Sequence, residues 1–197
     1  MKKVYACFST DVIHDGHLNI IERAKEYGQL TIGVLTDESM IKFDRFPTIS
    51  FEERLNQIKS LNNVASVITQ NTISYKDNLL KLKPDYVIHG DNWKYNEQAS
   101  IRQEVIDILK DWNGQLIEIP YTNNEVVKHI EKVMKDKLSM PEFRRKRLKQ
   151  LLKMRPIVKT IEVHSGITAL IAEKTIVENN GELDQFDAMW ISSLCDS

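Results

Sequence analysis

The fold of this chain is decided by one stretch near its start, Val4-Tyr5-Ala6-Cys7-Phe8-Ser9-Thr10-Asp11-Val12-Ile13-His14-Asp15-Gly16-His17. The apolar first part predicts a buried strand, and the polar residues after Phe8 predict a tight turn. Beyond His17, apolar residues recur at helical spacing, so a helix is expected to begin beside the two histidines. A helix N-terminus favours anions, and imidazoles can donate hydrogen bonds to phosphate oxygens. The stretch therefore predicts a phosphate-binding site.

Strand and helix patterns alternate through the first two-thirds of the chain. We expect strands at 4–8, 30–35, 64–68, 86–89 and 115–119, and helices at 16–26, 51–60, 75–82, 97–112 and 125–137, with a short helix after Thr36. Gly28 is expected as the C-cap of the first helix, and Ser50 and Glu53 as a capping box. This order predicts an α/β fold, a Rossmann-like parallel five-stranded sheet with helices on both faces. Ligands bind such sheets at the carboxyl ends of the strands.

Composition restricts the class of protein. The 197 residues are 42% hydrophobic, which is enough for a sizeable core, and the net charge of -1 gives no basis for binding nucleic acid or an anionic membrane. Cys7 and Cys195 lie far apart, which argues against a disulfide framework or a zinc site. Because no long apolar span or signal-peptide pattern is present, we expect a cytoplasmic protein that does not contact membranes.

The character of the sequence changes after the first two-thirds. We expect a first domain at 1–137, a basic helical linker at 138–156 and a separate segment at 157–197. The basic run at 144–149 is interpreted as a solvated helix face rather than a nucleic-acid site. The last segment contains a strand and helix pattern that cannot bury its own apolar faces, so we interpret it as the opening of a further domain.

The motifs resemble those of the cytidylyltransferase branch of the HxGH nucleotidyltransferases, and most of all the glycerol-3-phosphate cytidylyltransferase pattern. The resemblance covers about residues 1–135 and is carried by Ser9-Thr10-Asp11, His14-Asp15-Gly16-His17, Thr36-Asp37-Glu38, Glu53-Arg54 and Gly90-Asp91-Asn92-Trp93. It implies transfer of CMP from CTP to a small phosphate or phosphonate, with Mg²⁺ arriving with CTP and no metal ligand from the protein. A homodimer or higher homo-oligomer is also expected.

The resemblance also implies residue roles. His14, His17 and Arg45 would be catalytic and would stabilise charge on the reacting phosphates. The nucleotide would be bound by Phe8, Ser9, Thr10, Gly16, Asp91, Trp93 and Thr122, and the acceptor by Asp11, Lys42 and Arg54.

The residues alone leave alternatives open for several of these positions. His14 and His17 could be capping or half-buried residues, and Arg54 a surface or dimer salt-bridge residue. Trp93 could be a core aromatic, and Lys42 a solvated loop charge. His89 and His129 are expected to be structural.

Two positions depart from the family pattern. The family usually has an Arg-x-x-Gly-x-Ser-Ser/Thr-Thr segment before its last helix, whereas this chain has Tyr121-Thr122-Asn123-Asn124-Glu125-Val126-Val127-Lys128. Phe8 stands where the family commonly has glycine. Because of these departures, a catalytically impaired nucleotide-binding or assembly domain remains an alternative interpretation.

The last segment carries a second resemblance. Residues 162–174 and 186–194 are similar to the opening of phosphoenolpyruvate mutase, a member of the isocitrate lyase superfamily. A cytidylyltransferase followed by a mutase resembles the bifunctional enzymes of phosphonate biosynthesis. The order implies a phosphonate acceptor such as 2-hydroxyethylphosphonate or 2-aminoethylphosphonate, with no mutase activity from the truncated segment. An alcohol phosphate such as glycerol 3-phosphate is the alternative acceptor.

Overall fold

The structure is a computed structural model that describes residues 1–9, 12–42, 47–95, 98–120, 129, 132–133, 147–149, 151–152, 157–179 and 182–191. The chain divides into two compact units, Met1–Met134 and Lys135–Ser197. The expected boundary after residue 137 lies outside the described residues, as does most of the helix expected at 125–137.

The first unit is built on a parallel five-stranded sheet with the order β3-β2-β1-β4-β5. Its elements are β1 (Lys3–Phe8), α1 (Asp15–Ala24), β2 (Gln29–Leu35), α2 (Asp37–Lys42), α3 (Phe51–Lys59), β3 (Ser66–Gln70), α4 (Lys76–Leu82), β4 (Tyr86–Gly90), a 3₁₀ helix (Asp91–Tyr95), α5 (Ala99–Lys110) and β5 (Gln115–Ile119). The predicted Rossmann-like fold is confirmed. Chain order reverses between β1 and β4, and the crevice at such a switch point is where ligands bind these sheets.

Alternation along β1 separates two apolar clusters, one on each face of the sheet. Val4, Ala6 and Phe8 pack with residues of α1 and α3, whereas Tyr5 packs with residues of α4 and α5. Because each strand of the sheet's centre is buried on both faces, its sequence is apolar throughout rather than alternating. This rigid centre carries the turn that follows β1.

Several element ends differ from those expected, and α1 and α5 each end two residues earlier, at Ala24 and Lys110. Strand β3 begins and ends two residues later than expected, because it pairs with β2 from Ser66 to Gln70. The Gln70 side chain is buried, and its amide donates to the carbonyls of Thr72 and Ser74. Gly28 is not the C-cap of α1, since Lys25 takes that position. Gly28 has φ +152, and a Cβ there would collide with the Lys2 carbonyl oxygen. Glycine is needed for this close approach.

The second unit contains β6 (Thr160–Val163), α6 (Gly166–Lys174), β7 (Val177–Asn179), β8 (Glu182–Asp184) and β9 (Ala188–Ile191). Strands β6 and β9 pair in parallel, while β7 and β8 pair antiparallel. Several large apolar side chains on α6 and β9 are more than half exposed: Ile167, Leu170, Ile171, Trp190 and Ile191. The described part of this unit therefore has exposed apolar side chains on both α6 and β9. No helix among the described residues is long and apolar enough to cross a membrane.

Candidate active site

The two histidines form a capping box at the start of α1, at the switch point of the sheet. His14 is the N-cap, with extended φ −131 and ψ 173, and its Nδ1 accepts a hydrogen bond from the Gly16 amide at 3.1 Å. The His17 Nδ1 accepts from the His14 amide at 3.4 Å. A neutral imidazole whose Nδ1 is an acceptor carries its proton on Nε2. The cap therefore gives both rings an Nε2–H donor at a helix N-terminus.

Phe8 determines the surroundings of His17. The two rings pack edge to face, with centroids 4.9 Å apart and planes at 72°, and the His14 ring lies 4.0 Å away on centroids. Burial, with a smaller contribution from His14, lowers the pKa of His17 from 6.5 to about 3. His17 is therefore neutral at physiological pH, and its Nε2–H can donate a hydrogen bond.

Two of the expected nucleotide ligands have other tasks in this turn. The Phe8 side chain is buried in the core and packs on His17, and its role in nucleotide binding stays a prediction. The Gly16 amide is engaged by His14. Ser9 directly follows β1 and is half-buried, at the carboxyl edge where the crevice lies.

Trp93 lies in the core, which favours the alternative that it is a structural aromatic. Its side chain is 1% exposed, and its Nε1 donates to Glu118 Oε1 at 2.8 Å. The His89 ring stacks on it, with centroids 3.8 Å apart and planes within 9°. Asp91, the first residue of the 3₁₀ helix, is half-buried at the carboxyl end of β4. The crevice is thus bordered by Asp91 rather than by the indole.

Sequence reasoning missed Glu118, the carboxylate on β5. Its oxygens accept from Arg102 Nε at 2.8 Å and Arg102 Nη2 at 2.9 Å, and Lys94 Nζ lies 3.2 Å away. The hydrogen bond from Arg102 is the main reason that the pKa of Glu118 falls to about 2. A single acid inside the apolar strand Gln115-Leu116-Ile117-Glu118-Ile119 is the feature that could have indicated a buried partner.

Arg54 lies in the interior and not on the surface. Its side chain is 0% exposed, and Nη2 donates to Asp37 Oδ1 at 2.6 Å. The other Asp37 oxygen accepts from the Phe51 amide at 3.3 Å. Arg54 therefore ties α3 to the first turn of α2, and its role in acceptor binding stays a prediction. Lys42 is the last residue of α2.

Four of the expected site residues lie outside the described part of the chain: Thr10, Asp11, Arg45 and Thr122. Their roles stay predictions. Among the residues that are described, no group of three or more His, Cys, Asp or Glu side chains is placed to hold a metal ion.

Comparison with known protein families gives a match over most of the chain. A sequence profile described as cytidylyltransferase-like matches residues 7–173. The chain belongs to the cytidylyltransferase-like family. This confirms the first resemblance and makes the chain a member of a nucleotidyltransferase family. The capping histidines of α1 and the half-buried Ser9 fall within the matched range.

Individual relatives differ in how much they share with this cytidylyltransferase-like chain. The glycerol-3-phosphate cytidylyltransferase of Bacillus spizizenii is 29% identical over 136 residues, which are 68% of this chain and 98% of that protein. The ethanolamine-phosphate cytidylyltransferase of Arabidopsis thaliana is 31% identical over 96 residues, which are 46% of this chain. The chain spans 22% and 23% of the length of two of the curated relatives it matches.

A solved structure shares the fold. The lipopolysaccharide core biosynthesis protein from Thermoplasma volcanium GSS1 superposes with a TM-score of 0.54 at 21% identity, covering 62% of this chain and 99% of that one. At this identity the likeness concerns the fold alone.

Proposed function

We propose that the chain transfers the cytidylyl group of CTP to a small phosphonate of the 2-hydroxyethylphosphonate or 2-aminoethylphosphonate type and releases pyrophosphate. One observation carries the transferase proposal: the α1 cap, in which both histidine Nδ1 atoms are bonded to backbone amides. Such rings present Nε2–H donors where the helix N-terminus already favours phosphate.

The reaction needs positioning and charge stabilisation more than covalent help from the protein. An acceptor oxygen attacks the α-phosphorus of CTP. The bond from that phosphorus to the oxygen bridging the α- and β-phosphates breaks, and pyrophosphate leaves with the electron pair. His14 and His17 donate from Nε2 to the phosphate oxygens, on which negative charge grows. Removing one such donor costs on the order of a hundred- to a thousand-fold in rate.

Mg²⁺ belongs to the proposal as a companion of CTP. The described residues include no group of three acidic, histidine or cysteine side chains that could hold it. The oxygens of the triphosphate are ligands of the kind that Mg²⁺ prefers, and the ion would partly neutralise the charge of the triphosphate. What the protein itself supplies is the donor pair at α1 and the wall of the crevice.

Two classes of acceptor compete. The similarity of residues 162–174 and 186–194 to the start of a phosphoenolpyruvate mutase supports a phosphonate, because that enzyme makes the carbon–phosphorus bond. The printed activities of the relatives, glycerol-3-phosphate and ethanolamine-phosphate cytidylyltransferase, support an alcohol phosphate as the second candidate. Both acceptors present a phosphoryl oxygen of the same chemistry to the α-phosphorus.

Pyrophosphate release measured with CTP and a panel of acceptors tests the proposal. The panel contains 2-hydroxyethylphosphonate, 2-aminoethylphosphonate, glycerol 3-phosphate and phosphoethanolamine. We expect the highest kcat/KM with a phosphonate, and preference for an alcohol phosphate would establish the second candidate instead. Absence of turnover with every acceptor, despite CTP binding by calorimetry, would overturn the enzyme proposal in favour of a binding domain.

A further inference from the structure

The 3₁₀ helix Asp91–Tyr95 forms the second border of the crevice. It begins where β4 ends, and β4 is the strand beside β1 on the far side of the switch point. Phosphates held at the start of α1 leave the rest of a nucleotide to extend along the crevice towards the carboxyl end of β4. A short helix at this place can border the part of a bound nucleotide that lies beyond its phosphates.

One carboxylate fixes this helix. Glu118 accepts from the Trp93 indole at 2.8 Å and lies 3.2 Å from the Lys94 ammonium, so it contacts two consecutive residues of the helix. The same carboxylate is held from the other side by two hydrogen bonds from Arg102 on α5. With 14% of its side chain exposed, Glu118 is largely screened from water, which makes these charge-assisted bonds strong.

The indole is clamped on its face as well as at its nitrogen. His89, at the end of β4, stacks on the Trp93 ring at 3.8 Å, and Tyr75 packs against it with centroids 5.9 Å apart. A five-residue 3₁₀ helix has little internal stability of its own. Its position is therefore set by what Trp93 and Lys94 are bonded to.

We propose that Glu118 is a positioning residue for nucleotide binding, which holds the Asp91–Tyr95 helix where it can border the nucleoside of CTP. The inference rests on the proposed function, because it assumes that a cytidine nucleotide occupies the crevice. Glu118 acts through Trp93 and Lys94 and is not a catalytic residue. Its loss is expected to weaken nucleotide binding while leaving the donor pair of α1 in place.

The test compares three variants of the full chain: Glu118→Ala, Glu118→Gln and the control Glu104→Gln. The glutamine at 118 keeps an oxygen that can accept from the indole but loses the ion pairs. Glu104 is a partly buried glutamate on α5 that accepts from the Ser74 hydroxyl, so its variant makes the same chemical change away from the 3₁₀ helix. Three quantities are measured for each variant: the Kd for CTP by calorimetry, kcat at saturating CTP, and the rate of amide hydrogen exchange over residues 91–95.

We expect the Kd for CTP to rise on the order of tenfold or more in Glu118→Ala, from the loss of charge-assisted hydrogen bonds, with a smaller rise in Glu118→Gln. Exchange over 91–95 should quicken in the same order, while kcat stays within about twofold of the wild type. Glu104→Gln should match the wild type in all three measurements.

Two results would overturn the proposal. One is faster exchange over 91–95 with an unchanged Kd for CTP, which would make Glu118 purely structural. The other is equal weakening in Glu118→Gln and Glu104→Gln, which would indicate a general loss of stability. Failure of the proposed function is seen separately, since it would appear as no CTP binding by the wild-type chain.

Discussion

The imidazole of His14 performs two tasks with two different nitrogens, and mutation can separate them. Nδ1 caps α1 by accepting from the Gly16 amide at 3.1 Å, whereas Nε2 is the proposed donor to phosphate. Asparagine is among the best N-cap residues, because its side-chain oxygen accepts from the same early amides, but it has no group at the position of Nε2. Alanine provides neither function.

The two substitutions should therefore differ in stability and agree in activity. His14→Ala loses the cap, which costs about 1 kcal/mol of unfolding free energy, while His14→Asn should stay within about 0.5 kcal/mol of the wild type. Both lose the Nε2–H donor, and each should lower kcat by about 100- to 1,000-fold, equivalent to about 3–4 kcal/mol of transition-state stabilisation.

Urea unfolding followed by circular dichroism gives the stabilities, and pyrophosphate release from CTP with the preferred acceptor gives kcat. Near-wild-type turnover by His14→Asn would refute the role of Nε2. Equal destabilisation by asparagine and alanine would refute the capping role of Nδ1. The wild-type chain at matched protein concentration is the reference for both measurements.

Three further predictions concern stability. Burial lowers the pKa of His17 from 6.5 to about 3, so as the pH falls the unfolded chain binds a proton before the folded chain does. The contribution of His17 to the free energy of unfolding is therefore complete above pH 6.5 and is lost as the pH falls towards 3, with a slope of up to about 1.4 kcal/mol per pH unit. His17→Asn should remove this slope in urea titrations between about pH 4.5 and 7.5. Asp37→Ala removes the carboxylate bonded to the fully buried Arg54 and should cost about 3 kcal/mol in urea unfolding, at the low end for buried pairs because Asp37 is 31% exposed. Gly33→Ala places a methyl group against the Tyr5 hydroxyl and should cost about 1–3 kcal/mol, of which Tyr5→Phe should recover about 1 kcal/mol in a double-mutant cycle.

Each of these has an outcome that would contradict it. An unchanged pH slope in His17→Asn would mean that other groups cause the acid sensitivity. For the ion pair, the matched control is Lys25→Gln, which breaks the exposed Lys25–Glu22 pair at 2.8 Å and should cost less than about 1 kcal/mol. If Asp37→Ala and Lys25→Gln lowered the free energy of unfolding equally, burial of Arg54 would not explain the cost of Asp37→Ala. If the changes in unfolding free energy of Gly33→Ala and Tyr5→Phe were strictly additive, the Tyr5 hydroxyl would not be the group that the added methyl group meets.

The sheet could be predicted because strand and helix periodicities in the first 120 residues agree with each other. The capping box of Ser50 and Glu53 was also predicted, and it is confirmed by reciprocal hydrogen bonds in the structure. Sequence patterns did not predict the places where a buried polar side chain finds its hydrogen-bond partners inside the protein. Strand β3 runs to Gln70, whose side-chain oxygen accepts from the Tyr5 hydroxyl and whose amide nitrogen donates to two carbonyls of the next turn, and no local sequence pattern indicates this arrangement.

The same limitation applies to the candidate site. The position of the histidines follows from local sequence, since a strand, a turn and a helix start are contiguous. The surroundings of Trp93, Arg54 and Glu118 depend on residues far away in the chain. Trp93 and Glu118, for example, are 25 positions apart. The position of a motif residue in the fold can therefore be predicted correctly from sequence, while the contacts of its side chain with the core are not.

The departure at Phe8 has a physical consequence that its position alone did not suggest. A glycine there would leave the His17 ring without its edge-to-face partner and more open to water, which would weaken the desolvation that lowers its pKa. With Phe8 in place, both ring nitrogens of His17 are committed: Nδ1 to the His14 amide and Nε2 to carrying the proton. The ring then needs no protonation event before it donates to phosphate. The phenylalanine is consistent with a donor pair fixed in advance, in which stabilisation of the transition state comes from oriented neutral dipoles.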